Sequence, residues 1–217
     1  MSKIPSIRRL GHLTYVTVGP ARIAACVILL AQRAAMDPDV ATPPQAAAQR
    51  ALDRLDAAVR LLQGGLAAEQ RAVDVTPGAD VAPARSAARQ ALEELQGHAG
   101  RDADALASRL RRAPDLTQLC LVTLEERITD YLSKVEDDVA RIERELLRQE
   151  RTDLTRSLRQ LENVGRSIEL IAINAGVEAA RAGTAGAGLR VIAGEMQRLS
   201  HGMGSFLDDM GRRIRDL

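Results

Sequence analysis

Three histidines (His12, His98, His201), two cysteines (Cys26, Cys120) and a glycine cluster (Gly183, Gly186, Gly188) are the residues from which this chain of 217 could build chemistry. A catalytic base or a metal ligand needs companions at helical spacing or a recognisable set of partners. Each histidine is isolated, and neither cysteine has a Cys or His at a ligand spacing. No Ser or Cys nucleophile has such a set either. The stretch "GTAGAG" leaves one further option, a phosphate cradle. A phosphate loop places Lys and then Ser or Thr after its glycines, whereas Leu189 and Arg190 follow here. A dinucleotide fingerprint needs a strand in front of the turn, and what precedes is "NAGVEAARA", a strongly helix-forming run. The expectation is a protein that is not an enzyme and carries no metal or cofactor. Both thiols are expected free in a reducing compartment, and the location cytoplasmic.

The same glycines fit the bend of a helical hairpin, with the tip at 182–188. Gly183 would end one helix, and Gly186 and Gly188 would let the backbone reverse before Leu189. Upstream lies the apolar series Leu154, Leu158, Leu161, Val164, Ile168, Ile171 and Ala175. Downstream, Leu189, Ile192, Met196, Leu199, Met203, Phe206, Met210, Ile214 and Leu217 alternate steps of three and four. An earlier near-heptad run from Leu121 through Ile128, Val135 and Ile142 to Leu146 follows Asp115, a good N-cap. The rhythm falters at "RQERTD", residues 148–153, where a register skip or a short interruption is expected. The returning arm is roughly 40 Å long and pairs back to about Asp153. A two-helix hairpin leaves apolar surface uncovered, so two hairpins are expected to form a four-helix bundle as a homodimer.

All eight prolines lie at or before Pro114, which divides the chain into an N-terminal helical region, 1–113, and the hairpin region, 115–217. Proline and glycine punctuation predicts helices over 20–36, 44–73 and 83–110. The second carries Leu52, Leu55, Val59 and Leu62 on one face. "LTYVTV", residues 13–18, alternates like a strand but leads into the first helix. The apolar run at 23–31 is about half of the ~20 residues that a membrane helix needs, so no membrane span is expected. A net charge of +1 and 1% aromatic residues supply neither the basic field nor the stacking surface of a nucleic-acid binder. The fold class read from this pattern is all-α: a long antiparallel helical hairpin with an N-terminal helical bundle region.

"NAGVEAARAG", the following "GAG" and "VIAGE" together form a specific motif that resembles the signalling tip of bacterial methyl-accepting chemotaxis receptors, without a gap from 170 to about 199. The resemblance implies a chemoreceptor-like signal transducer. Its dimers would form four-helix bundles and assemble as trimers of dimers, and its tip would bind a chemotaxis histidine kinase and a coupling protein. By position, Asn174, Glu178 and Arg181 match residues of contacts between dimers and Leu170 an apolar contact. Val191 and Ile192 fall where the family presents surface to the coupling protein. Thr184, Ala187, Leu189, Arg190, Gly176 and Arg166 depart from the family pattern. The nearest methylation-like stretch, "EERIT" at 125–129, ends in Thr rather than a small residue. These departures support an alternative, a structural or regulatory coiled-coil bundle that dimerises with or modulates true chemoreceptors. The N-terminal part, through Arg22, Gln32, Arg33 and Gly64, resembles the sensor helices of type IV pilus and nitrate-type transducers. That resemblance implies Arg22 and Arg33 as candidate anion contacts.

Overall fold

Helix-breaking residues set the order of elements in the computed structural model, which describes residues 4–65 and 76–215. The helices are α1 (Ile4–Val18), α2 (Ala21–Met36), α3 (Gln45–Arg60), α4 (Val81–Ala99), α5 (Ala103–Leu110), α6 (Leu124–Arg181) and α7 (Ala187–Arg215). A π turn follows α3 at Leu61–Gly65, another precedes α6 at Leu119–Thr123, and a 3-10 turn at Gly183–Gly186 joins α6 to α7. The described residues contain no strand, and 13–18 close α1. Of the helix expected over 44–73, the part from Gln45 to Gln63 is helical and Gly64, at φ 141, breaks it, while 66–73 lie outside the described residues, as does Leu217.

The ends of these helices have local causes. Gly100, at φ 80, takes the left-handed backbone that stops α4. Asp102 then starts α5, its side chain accepting the N–H of Asp104. Asp115 accepts both the N–H and the hydroxyl of Thr117, at 3.0 and 2.6 Å, and so caps the approach to α6 as its sequence position predicts. Those bonds, the hydroxyl's first, hold the Asp115 carboxyl below the usual carboxylate range.

The chain forms two compact units, Met1–Arg144 and Glu145–Leu217. In the first, α2 buries Ala21, Ala25 and Ile28 against the expected face of α3, Leu52, Leu55, Val59 and then Leu62. Leu92 and Leu95 of α4 and Leu110 of α5 join the same core. Each such Leu or Ile contributes roughly 1.5–3 kcal/mol by leaving water. The first turns of α6 complete the layer with Leu124, Ile128, Tyr131 and Leu132, all buried. That is why the units divide inside α6 and not at Pro114. Gln32, 1% exposed, fixes the loop before α6, its side-chain amide donating to Pro114 O at 2.6 Å and its carbonyl accepting from Leu116 N at 3.0 Å. A buried amide that satisfies two otherwise unpaired backbone groups stabilises a loop that has no ladder of its own.

Of the two alternatives at 148–153, the structure excludes one. The helix is continuous through 148–153, so no interruption occurs there. The seam passes from Leu146 to Leu154 in two consecutive four-residue steps, a stutter in the heptad register. The stretch Pro5–Met36, taken together, is long and apolar enough to cross a membrane by length and composition, which the run at 23–31 alone does not show. In the first unit, α2 buries its Ala24, Ala25 and Ile28 side of that stretch in the core.

Candidate functional site

In the second unit the later part of α6 runs antiparallel to α7, and the residues buried between them recur every seven positions. On α6 they are Leu158, Gly165, Ala172 and Ala179, and on the return they are Gly186 of the 3-10 turn and Ala193, Ser200, Leu207 and Ile214 of α7. One heptad position therefore forms the fully buried spine of the contact, with Met203 and Met210 packed beside it, and it carries small residues near the turn and Leu or Ile far from it. Small contact residues let two helix axes approach closely. The close approach is visible in three places. The Ser200 hydroxyl donates to Gly165 O at 2.8 Å across the pair. A Cβ on Gly176 would lie 3.9 Å from that of Ala193, and a Cβ on Gly186 would lie 2.1 Å from Ala179 O.

The large apolar residues of the two seams lie beside this spine and are left open. Leu161, Val164 and Ile171 on α6 and Leu189, Ile192, Leu199 and Phe206 on α7 are all exposed. The hairpin's own contact thus uses a minority of its apolar seam, and Ile171 and Ile192, which seam position alone would bury, are surface residues of the single chain.

The turn forms as the glycines predict, with one refinement. Gly183 has φ 60, Gly186 is buried against α6, and Gly188 lies within the first turn of α7 with open space around it. Only the first two are required by geometry. A helix precedes the turn, so no strand-turn-helix phosphate site is present here.

Around the tip, Leu170, Asn174, Glu178, Arg181, Val191 and Ile192 are all exposed. Glu178 and Arg181 pair at 3.0 Å with side chains 64% and 74% exposed. Asn174, one turn earlier, makes no side-chain hydrogen bond among the described residues. Such an exposed pair contributes about 0–1 kcal/mol to folding, so it orients a surface more than it stabilises one. Arg190 and Val191 share a shallow concavity with Gly183, Thr184 and Ala187. Arg166 projects outward and pairs with Glu162 at 3.9 Å.

The two arginines of the N-terminal region are engaged within the first unit. Arg22 lies 3.2 Å from Glu125 and donates to the Thr129 hydroxyl at 2.7 Å, and Arg33 donates to the Thr117 hydroxyl at 3.1 Å. The described residues hold no cluster of His, Cys, Asp or Glu that could bind a metal ion. What sequence reasoning missed at the tip is the small-residue spine. Its signal was present as Gly, Ala and Ser every seventh residue, but a search for large apolar side chains passes over it.

Residues 122–205 match the family model described as the methyl-accepting chemotaxis protein (MCP) signalling domain. The matched span runs from the π turn before α6, through the tip, to Ser205 in α7, so it contains every residue of the tip site. No curated protein and no solved structure gives a match. The match does not reach the N-terminal helices, and nothing else supports their likeness to pilus-type transducers. That family is one of signal transducers, and the matched segment is similar to its signalling domain.

Proposed function

We propose that this protein is a chemotaxis signal transducer whose hairpin tip is presented to a histidine kinase and its coupling protein. The observation that carries the reading is the exposure of Leu170, Asn174, Glu178, Arg181, Val191 and Ile192 at one end of a helical hairpin inside the matched span. A surface that mixes apolar side chains with an oriented ion pair favours a specific protein partner. The working form is a homodimer packed as a four-helix bundle, and trimers of such dimers form through the Asn174, Glu178 and Arg181 stripe. The protein acts in the cytoplasm and without nucleic acid, and its apolar Pro5–Met36 stretch serves as helices of the first unit and not as a membrane span, a reading supported by the burial of Ala24, Ala25 and Ile28.

Co-purification of the full chain with a chemotaxis kinase and coupling protein tests this. Capture by the wild type and its loss in the double variant Glu178→Arg with Arg181→Glu are the expected results. Equal capture of both would remove the tip role. The regulatory alternative is favoured by Thr184 and Ala187 at the turn and by the outward-facing Arg166. It predicts no capture of kinase by this protein alone but a changed kinase activity when it is mixed with true receptors.

A further inference from the structure

The first unit has a partly open cavity of about 160 Å³ between α1, the start of α4 and α6. Most of its wall is aliphatic, with Ile7 and Leu10 on one side and Val135 and Ile142 on the other. A dry apolar cavity of about this size holds one benzene ring. The polar groups on the wall are few. Asp138 is already used, accepting from Gly78 N at 3.1 Å and pairing with Arg141 at 2.7 Å. Arg85 is half-buried and makes no hydrogen bond or ion pair among the described residues. The Thr14 hydroxyl, 1% exposed, donates to Leu10 O at 3.0 Å and so presents lone pairs. Tyr131 is 1% exposed, and burial pushes its hydroxyl above the ordinary phenol value against the opposing influence of Arg85 and Thr14.

A half-buried guanidinium that makes no ion pair among the described residues, beside an apolar void, is a site one anionic oxygen pair would satisfy, because Arg offers a planar fork of donors. We propose that this cavity binds a small monocarboxylate with an apolar body of about one six-membered ring. Its carboxylate would sit on Arg85 and the Tyr131 hydroxyl, and its body would lie against Ile7, Leu10, Val135 and Ile142. Tyr131, Val135 and Ile142 belong to α6, the helix that continues to the tip, so occupancy bears directly on that helix. The binding site does not rest on the role proposed for the hairpin.

Calorimetric titration of the full chain with benzoate and cyclohexanecarboxylate, with toluene as the uncharged match for benzoate, tests the assignment. Saturable binding of a carboxylate is expected, weakened about tenfold or more in Arg85→Gln and less in Arg85→Lys, with the affinity for toluene unchanged. Tyr131→Phe keeps the packing and should weaken carboxylates alone. If Arg85→Gln does not fold, as circular dichroism would show, Arg85→Lys and Tyr131→Phe supply the comparison. No saturable carboxylate binding by the wild type overturns the proposal. So does equal carboxylate affinity in the folded Arg85 and Tyr131 variants, or toluene binding as tightly as benzoate.

Discussion

Cys120 lies in the π turn before α6 with 5% of its surface exposed, and burial pushes its thiol from the ordinary value of 9.0 up to about 12, with a smaller contribution from nearby Cys26. Cys26 itself is exposed on α2. At mildly alkaline pH a maleimide should therefore modify Cys26 in the native protein and Cys120 only after unfolding, which mass spectrometry would read directly. Rapid native labelling of both would contradict the burial. The sign for stability follows from the raised value. The unfolded thiol ionises near 9 while the folded one keeps its proton, so this contribution is whole below 9 and is lost as pH rises towards 12. Residue-scale legibility is uneven. The pairing of Glu178 with Arg181 follows from their spacing. Gln32 is visible in sequence only as a polar break in an apolar helix, because its partners, Pro114 O and Leu116 N, are far along the chain. The convergence of Thr14, Arg85 and Tyr131 spans three elements and leaves no local pattern.

At the scale of the element, the two glycines nearest the return of the chain make opposite demands. A Cβ at Gly186 would lie 2.1 Å from Ala179 O, and the obstruction is backbone, so it cannot swing aside. Gly186→Ala should lower the stability of the hairpin by about 1–3 kcal/mol. Gly188→Ala meets nothing and should raise it by up to about 1 kcal/mol through helix propensity. Thermal melts of the two variants check the pair, and a melt unchanged in Gly186→Ala would argue against the close approach. The turn, the arms and the polar tip were all legible, because heptad rhythm and glycine act locally. Which side of each arm meets the other was not. Hydrophobic periodicity weights large side chains, while close helix contact selects small ones, so the seam and the contact fall on different positions. The compact units divide inside α6, beyond the proline boundary, for a related reason. Proline marks where a helix can start, but Leu124, Ile128 and Tyr131 decide which core its first turns serve.

For the molecule as a whole, the open seam is the dominant fact. Leu199 and Phe206 are 71% and 62% exposed in a single chain, and with Leu161, Val164, Ile171 and Ile192 they form a continuous apolar flank. Burial against a second hairpin would contribute roughly 1.5–3 kcal/mol for each such side chain, counted twice by symmetry. Sedimentation should show the wild type as a dimer, with Phe206→Glu monomeric at the same concentration. A monomeric wild type at tens of micromolar, by an order-of-magnitude threshold for such association, would leave the flank unexplained. The spine of Gly165, Ala172, Ala179, Gly186, Ala193 and Ser200 gives this association a further meaning. In the proposed dimer, a tip that each chain holds with methyl groups and bare backbone would take order from its neighbour. The supply of competent tips then follows mass action. At low abundance, halving the protein removes more than half of them, and expression level itself becomes an input to the signal.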